Sequence, residues 1–131
     1  MKLTIPFYLN KAGAGFPSPA TDYIEEDIDL NIHLIKNVPA TFIIRVQGKS
    51  MMDVGIYDGD LLVVDKSLKP KNFSTVVANV HDELVVKNFV KEKDEQFLTS
   101  DSKKIEDKIT INNDSEIFIW GVVTYVIHSV Y

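Results

Sequence analysis

From Thr41 onward the chain is a succession of short runs rich in β-branched and aromatic residues, separated by polar or glycine-containing turns. That pattern predicts β-structure almost throughout. Thr41-Phe42-Ile43-Ile44-Arg45-Val46-Gln47 is the first run. Asp60-Leu61-Leu62-Val63-Val64-Asp65 is the second, and its unbroken apolar centre predicts burial on both faces. Ser74 to Val80 and Leu84 to Val90 follow, joined by His81-Asp82-Glu83 in a spacing that suits a hairpin. Gln96 to Thr99 and Lys108 to Ile111 are shorter strands, and Glu116 to Val130 is a long apolar stretch interrupted by Gly121, where a bulge or bend is expected. A single helical pattern precedes them: Asp29 as N-cap, a run to about Lys36 with Ile28, Ile32 and Ile35 near one face, and Pro39 as the stop. The expectation is a mainly β fold, a compact and highly curved all-β domain over residues 28–131 with one short helix.

Residues 1–27 read differently. Lys11-Ala12-Gly13-Ala14-Gly15 is small and flexible, and Phe16-Pro17-Ser18-Pro19-Ala20 is driven toward extended geometry by its two prolines. The segment is expected to be a flexible N-terminal arm, with Glu25-Glu26-Asp27 as a solvated acidic surface. Between this arm and the β-rich part no helix-turn-helix module fits.

The bulk properties remove several function classes. A chain of 131 residues with 45% hydrophobic and 25% charged residues suits one globular domain. Its charge of −5 and single arginine, Arg45, argue against a large nucleic-acid footprint, since phosphate binding needs clustered cations. The pairs Lys91/Lys93 and Lys103/Lys104 have acidic residues beside them. With no cysteine, thiol catalysis and disulfides drop out. His33, His81 and His128 form no ligand pair at helical or strand spacing, so neither a metal nor a cofactor is expected. No apolar run reaches membrane-spanning length and the N-terminus lacks a signal-peptide core, which points to the cytoplasm.

Chemistry concentrates in Gln47-Gly48-Lys49-Ser50-Met51-Met52-Asp53-Val54-Gly55-Ile56-Tyr57-Asp58-Gly59-Asp60, a glycine-rich loop between two strands. A serine on such a turn exposes its hydroxyl and leaves neighbouring backbone N–H groups free for an oxyanion. The hydroxyl needs a base. His81 is one option. A lysine is another, provided it is the neutral amine, which apolar surroundings favour. Lys87 has that context, sharing a strand face with Val85 and Phe89, while Leu84, Val86 and Val90 on the opposite face also read as buried.

Gly48-Lys49-Ser50-Met51-Met52-Asp53, then Gly55-Ile56 and Asp58-Gly59-Asp60, resemble the nucleophile segment of the LexA/UmuD self-cleaving Ser/Lys protease family. Val85-Val86-Lys87 resembles its base strand, and Gly15-Phe16-Pro17-Ser18-Pro19-Ala20 with Asp22-Tyr23 resembles the segment after the scissile bond of UmuD-like members. The resemblance implies Ser50 as nucleophile, Lys87 as base, the backbone N–H groups of Lys49 and Ser50 as oxyanion donors, and cleavage at Ala14–Gly15, with Ala12–Gly13 as a second small-residue bond. It further implies a homodimer, stimulation by a RecA–single-stranded-DNA filament, and a cleaved form serving a UmuC-type Y-family DNA polymerase in error-prone lesion bypass during the SOS response. The arm before Gly15 is short for a UmuD-like protein. The principal rival is a non-catalytic module that binds a polymerase or filament through its arm. A Ser/Lys signal peptidase would share the chemistry but require a membrane anchor.

Overall fold

In a computed structural model, the described residues are 4–8, 24–100, 108–112 and 116–131. They build two compact units, Met1–Lys36 and Asn37–Tyr131.

In the first unit, β1 (Thr4–Tyr8) pairs antiparallel with β2 (Ile24–Asp29), Thr4 opposite Asp29 and Ile5 opposite Ile28. The acidic run Glu25-Glu26-Asp27 is thus strand rather than loop. The unit ends beyond the Asp27 limit read from sequence, because Ile28 and Asp29 complete β2 and α1 (Leu30–Leu34) follows at once. Asp29 caps that helix as expected, its carboxylate accepting the N–H of Asn31 at 3.0 Å. Residues 9–23, including Ala14 and Gly15, lie outside the described part.

The second unit is one antiparallel sheet. Its strands are β3 (Thr41–Arg45), β4 (Leu61–Asp65), β5 (Thr75–Val80), β6 (Glu83–Glu92), β7 (Glu95–Thr99), β8 (Ile109–Ile111) and β9 (Ile117–Ile127). Their spatial order is β3-β4-β9-β5-β6-β7-β8, so the sheet keeps two distinct edges and is not a closed barrel among the described residues. The mainly β class with one short helix holds. The β5–β6 hairpin turns on His81 and Asp82, both at positive φ (50° and 68°), the geometry of a tight two-residue turn.

Alternation along the strands feeds two apolar clusters. Val77, Leu62, Val64, Val46, Met51 and Ile56 form one. Val76, Ala78, Phe89, Leu98, Ile117 and Val122 form the other. Neighbouring residues of β5 therefore point to opposite clusters, which is why its apolar run is continuous. In β4, Leu62, Val63 and Val64 are buried, as the sequence predicts, and so is Asp65. Each of Leu62, Val63 and Val64 contributes roughly 1.5 to 3 kcal/mol on burial.

β9 joins the halves of the sheet, and it does so with two bulges. Against β5, Val77 faces Gly121 and Ala78 faces Ile119, so Trp120 is the extra residue. Against β4, Val63 faces Tyr125 and Val64 faces Val123, so Thr124 is extra, its hydroxyl donating to the Val63 carbonyl at 3.3 Å. Gly121 has a second role that periodicity did not reveal. A Cβ there would meet Val64 Cγ1 at 2.6 Å and the Asp65 carbonyl oxygen at 3.2 Å, so only glycine lets β4 and β9 approach.

Candidate active site

Ser50 sits in the connection from β3 to β4. The ladder runs on past the strands: Val46 N–H donates to the Asp60 carbonyl and Gly59 N–H to the Val46 carbonyl, each at 2.8 Å. This pinches residues 47–58 into a closed loop. Gly48, at φ 105°, turns its N–H onto the Asp58 carboxylate at 2.7 Å, and Arg45 Nη1 donates to the Gly59 carbonyl at 2.9 Å. Beyond Ser50, a short 3₁₀ turn over Met52–Val54 ends at Gly55 in the left-handed region. Met51 and Ile56 plunge into the first apolar cluster, 3% and 2% exposed. The serine itself is exposed, one residue before buried Met51 and two after Gly48. Among the described residues, the N–H groups of Lys49 and Ser50 meet no acceptor.

The base of the loop depends on Asp60, a buried carboxylate. One oxygen accepts the Tyr57 N–H at 2.9 Å and the other lies 2.6 Å from Nδ1 of His128. The Tyr57 N–H, and then His128, hold its carboxyl below the usual carboxylate range, against the opposing effect of burial. The ring of Tyr57 rests beside His128, centroids 5.4 Å apart.

Lys87 comes from the other half of the sheet. It lies in β6 opposite Val76 of β5, half-buried between Val85 and Phe89 of the second cluster. β7 pairs with β6 only from Asn88 onward, so Glu83 to Lys87 have a partner strand on one side alone. Leu84, expected to be buried, is 51% exposed for that reason. β3 likewise has one neighbour, β4.

A cavity of about 370 Å³ opens between these two unpaired strand edges. It is lined from one side by Ile44 to Gly48, Ser50 and Met51, and from the other by Leu84 to Lys87. The arrangement brings the Ser50 and Lys87 side chains to one space without a hydrogen bond between them. The amine instead donates to the hydroxyl of Ser100 at 2.6 Å. His81, the other base left open by the sequence, is in the exposed β5–β6 turn and does not line the cavity. Ser100 is a polar part of the site that motif reading did not single out, and Asp58 and Asp60, though within the motif, were given no role by it.

Such a space suits an extended peptide, whose backbone groups pair with strand edges while a carbonyl lies near an exposed hydroxyl. Comparison with known proteins agrees in kind. Residues 6–124 match the model of a family described as Peptidase S24-like. Protein ImpA of Salmonella typhimurium is 41% identical over 124 residues, 94% of this chain and 83% of that protein. Protein MucA of Escherichia coli is 40% identical over 122 residues, 93% of this chain and 83% of that one. A LexA repressor of Clostridium acetobutylicum is 32% identical over 105 residues, 80% of this chain and 51% of the repressor.

Proposed function

The chain belongs to the Peptidase S24-like family, within the LexA/UmuD group that its motifs resemble, and from that premise we propose that it is a serine endopeptidase acting mainly on itself, with Ser50 as nucleophile, Lys87 as general base and Ala14–Gly15 as the bond cut. The observation that supports this most is the single cavity lined by Ser50 from the β3–β4 loop and Lys87 from β6. Ala14 and Gly15 suit the cut because small residues let an extended backbone approach a serine closely.

In this reading the neutral Lys87 amine takes the proton of Ser50 Oγ as that oxygen bonds to the carbonyl carbon of Ala14. The oxyanion that forms is held by the N–H groups of Lys49 and Ser50. Collapse breaks the bond to Gly15 nitrogen, which takes the proton back from Lys87 and leaves residues 1–14 as an ester on Ser50. Lys87 then activates a water that hydrolyses the ester, freeing the Ala14 carboxylate. A tethered substrate tolerates weak binding because its effective concentration is high.

The switch this makes is placed in the SOS response. A RecA–single-stranded-DNA filament stimulates the cut, and the shortened protein, as a homodimer, serves a UmuC-type polymerase in lesion bypass in the cytoplasm. Similarity to its relatives supports this role. Among the described residues no helix is long and apolar enough to cross a membrane.

The test is intact-mass spectrometry of purified protein held at raised pH. The expected products are residues 1–14 and 15–131, absent from Ser50→Ala. Cleavage at another bond, or an unimpaired Ser50→Ala chain, overturns the assignment. A stable, uncut protein that still binds a filament or polymerase through its arm would favour the interaction-module alternative.

A further inference from the structure

The Lys87 amine does not stand alone. Its hydrogen-bond partner is Ser100, 2.6 Å away, at a position that no sequence motif marks. Among the described residues it is in no ion pair. Ser100 directly follows β7, whose last residue, Thr99, faces Asn88 of β6. Continuing that antiparallel register by one residue sets Ser100 across from Lys87. Both neighbours in this pairing are buried, Asn88 at 5% and Thr99 at 1% exposure, and Ser100 itself is 8% exposed. The hydroxyl therefore sits at a buried position one residue beyond the paired end of β7.

A neutral lysine has two N–H bonds and one lone pair on a nitrogen that rotates about Cε–Nζ. As a base it works only when the lone pair faces the proton it removes. An acceptor that captures one N–H removes most of that rotational freedom. From the contact and its burial we infer that Ser100 is a positioning residue for Lys87: its Oγ holds one N–H so that the lone pair is directed into the cavity shared with Ser50. This rests on the catalytic reading above and adds a third side chain to it. In this inference Ser100 neither bonds to substrate nor exchanges a proton, so its effect passes entirely through the amine.

A fluorophosphonate tests the inference without depending on where the arm is cut. Ser50 Oγ bonds to phosphorus, the P–F bond breaks and fluoride leaves, and Lys87 takes the serine proton. Labelling of the full chain is followed by intact mass, with circular dichroism to verify the fold of each variant. Ser100→Ala should label roughly 10- to 100-fold more slowly than wild type, the scale of a misdirected catalytic group. The isosteric pair Ser100→Thr and Ser100→Val separates hydroxyl from volume and remains informative even if the alanine variant unfolds. Threonine should restore labelling to within a few-fold of wild type, and valine should not.

Labelling of Ser100→Ala within twofold of wild type, while Lys87→Ala is slow, overturns the role of Ser100 and leaves the dyad standing. Equal rates for the threonine and valine variants overturn it as well. Wild-type labelling in Lys87→Ala, or no labelling of the wild-type chain, overturns the dyad itself.

Discussion

The two side chains of the site are held by opposite means. Ser50 comes from an irregular loop whose shape rests on a few discrete attachments: Met51 and Ile56 in the core, Gly48 N–H on Asp58, and the Asp60 carboxylate under Tyr57 and His128. Lys87 comes from a ten-residue strand whose position is set by register with β5. A loop built on few attachments loses its geometry when one is removed. A strand shares its load along a ladder and tolerates the loss of a side chain far better. The placement of Ser50 should be fragile to distant substitutions and that of Lys87 robust to them.

The sharpest way to break that contrast is Lys87→Ala. It should lower the self-cleavage rate by at least the roughly 10²- to 10⁴-fold typical of a lost general base, with the circular dichroism spectrum unchanged. An unfolded variant would mean that the strand depends on this side chain after all. Ile56→Ala should cost about 2 to 5 kcal/mol in denaturant unfolding, since a side chain 2% exposed leaves a cavity behind. Its counterpart on the strand side, Leu84→Ala at a half-exposed position, should cost less than about 1 kcal/mol. Similar costs at the two positions would remove the distinction.

Gly48→Ala probes the loop backbone alone. No atom lies within 4 Å of the added Cβ, so its cost is conformational, from φ 105°, and about 1 to 2 kcal/mol. Cleavage should suffer more than stability, because the strained turn sits two residues from Ser50.

The smallest effect is acid sensitivity. The folded protein holds the Asp60 carboxyl below its usual range. The stability this contributes is therefore complete above the unfolded value and is lost as pH falls through the lower folded one. Thermal unfolding followed from about pH 6 to about pH 3 should show a shallower acid limb for Asp60→Asn than for wild type. Parallel curves would show that the carboxylate does not anchor the loop electrostatically.

Much of the sheet was legible in the residues, because burial forces period-two patterning on any strand with a dry face. β4 and β5 were legible instead as continuous apolar runs dry on both faces, β6 by its apolar residues, and the His81–Asp82 turn carried its own signal. β1 and β2 did not: a two-stranded ribbon containing Glu25, Glu26 and Asp27 pairs through its backbone, and charged side chains tell nothing about such pairing. Ser50 and Lys87 were visible through motif and apolar context. Ser100 was not, since a serine after a weak strand becomes meaningful only once Thr99 is known to face Asn88. His128 was opaque for the same reason, its partner Asp60 lying 68 residues away. Gly121 was half legible. A bulge was expected, but the tight contact with Val64 belongs to tertiary structure.

The place of β9 has a temporal consequence. Every other strand of the large sheet precedes it in the chain, yet it lies between β4 and β5. As a ribosome delivers the polypeptide, the β3–β4 hairpin and the β5-to-β8 meander consist of neighbours that can pair as they emerge. One piece bears Ser50 and the other Lys87, and nothing in the ladder splices them until residues 117–127 arrive. A nascent chain thus has Ser50 and Lys87 in separate fragments. In the proposed reading the dyad is assembled only with the last strand of this sheet, so a chain that has not yet made β9 has no means of cutting itself.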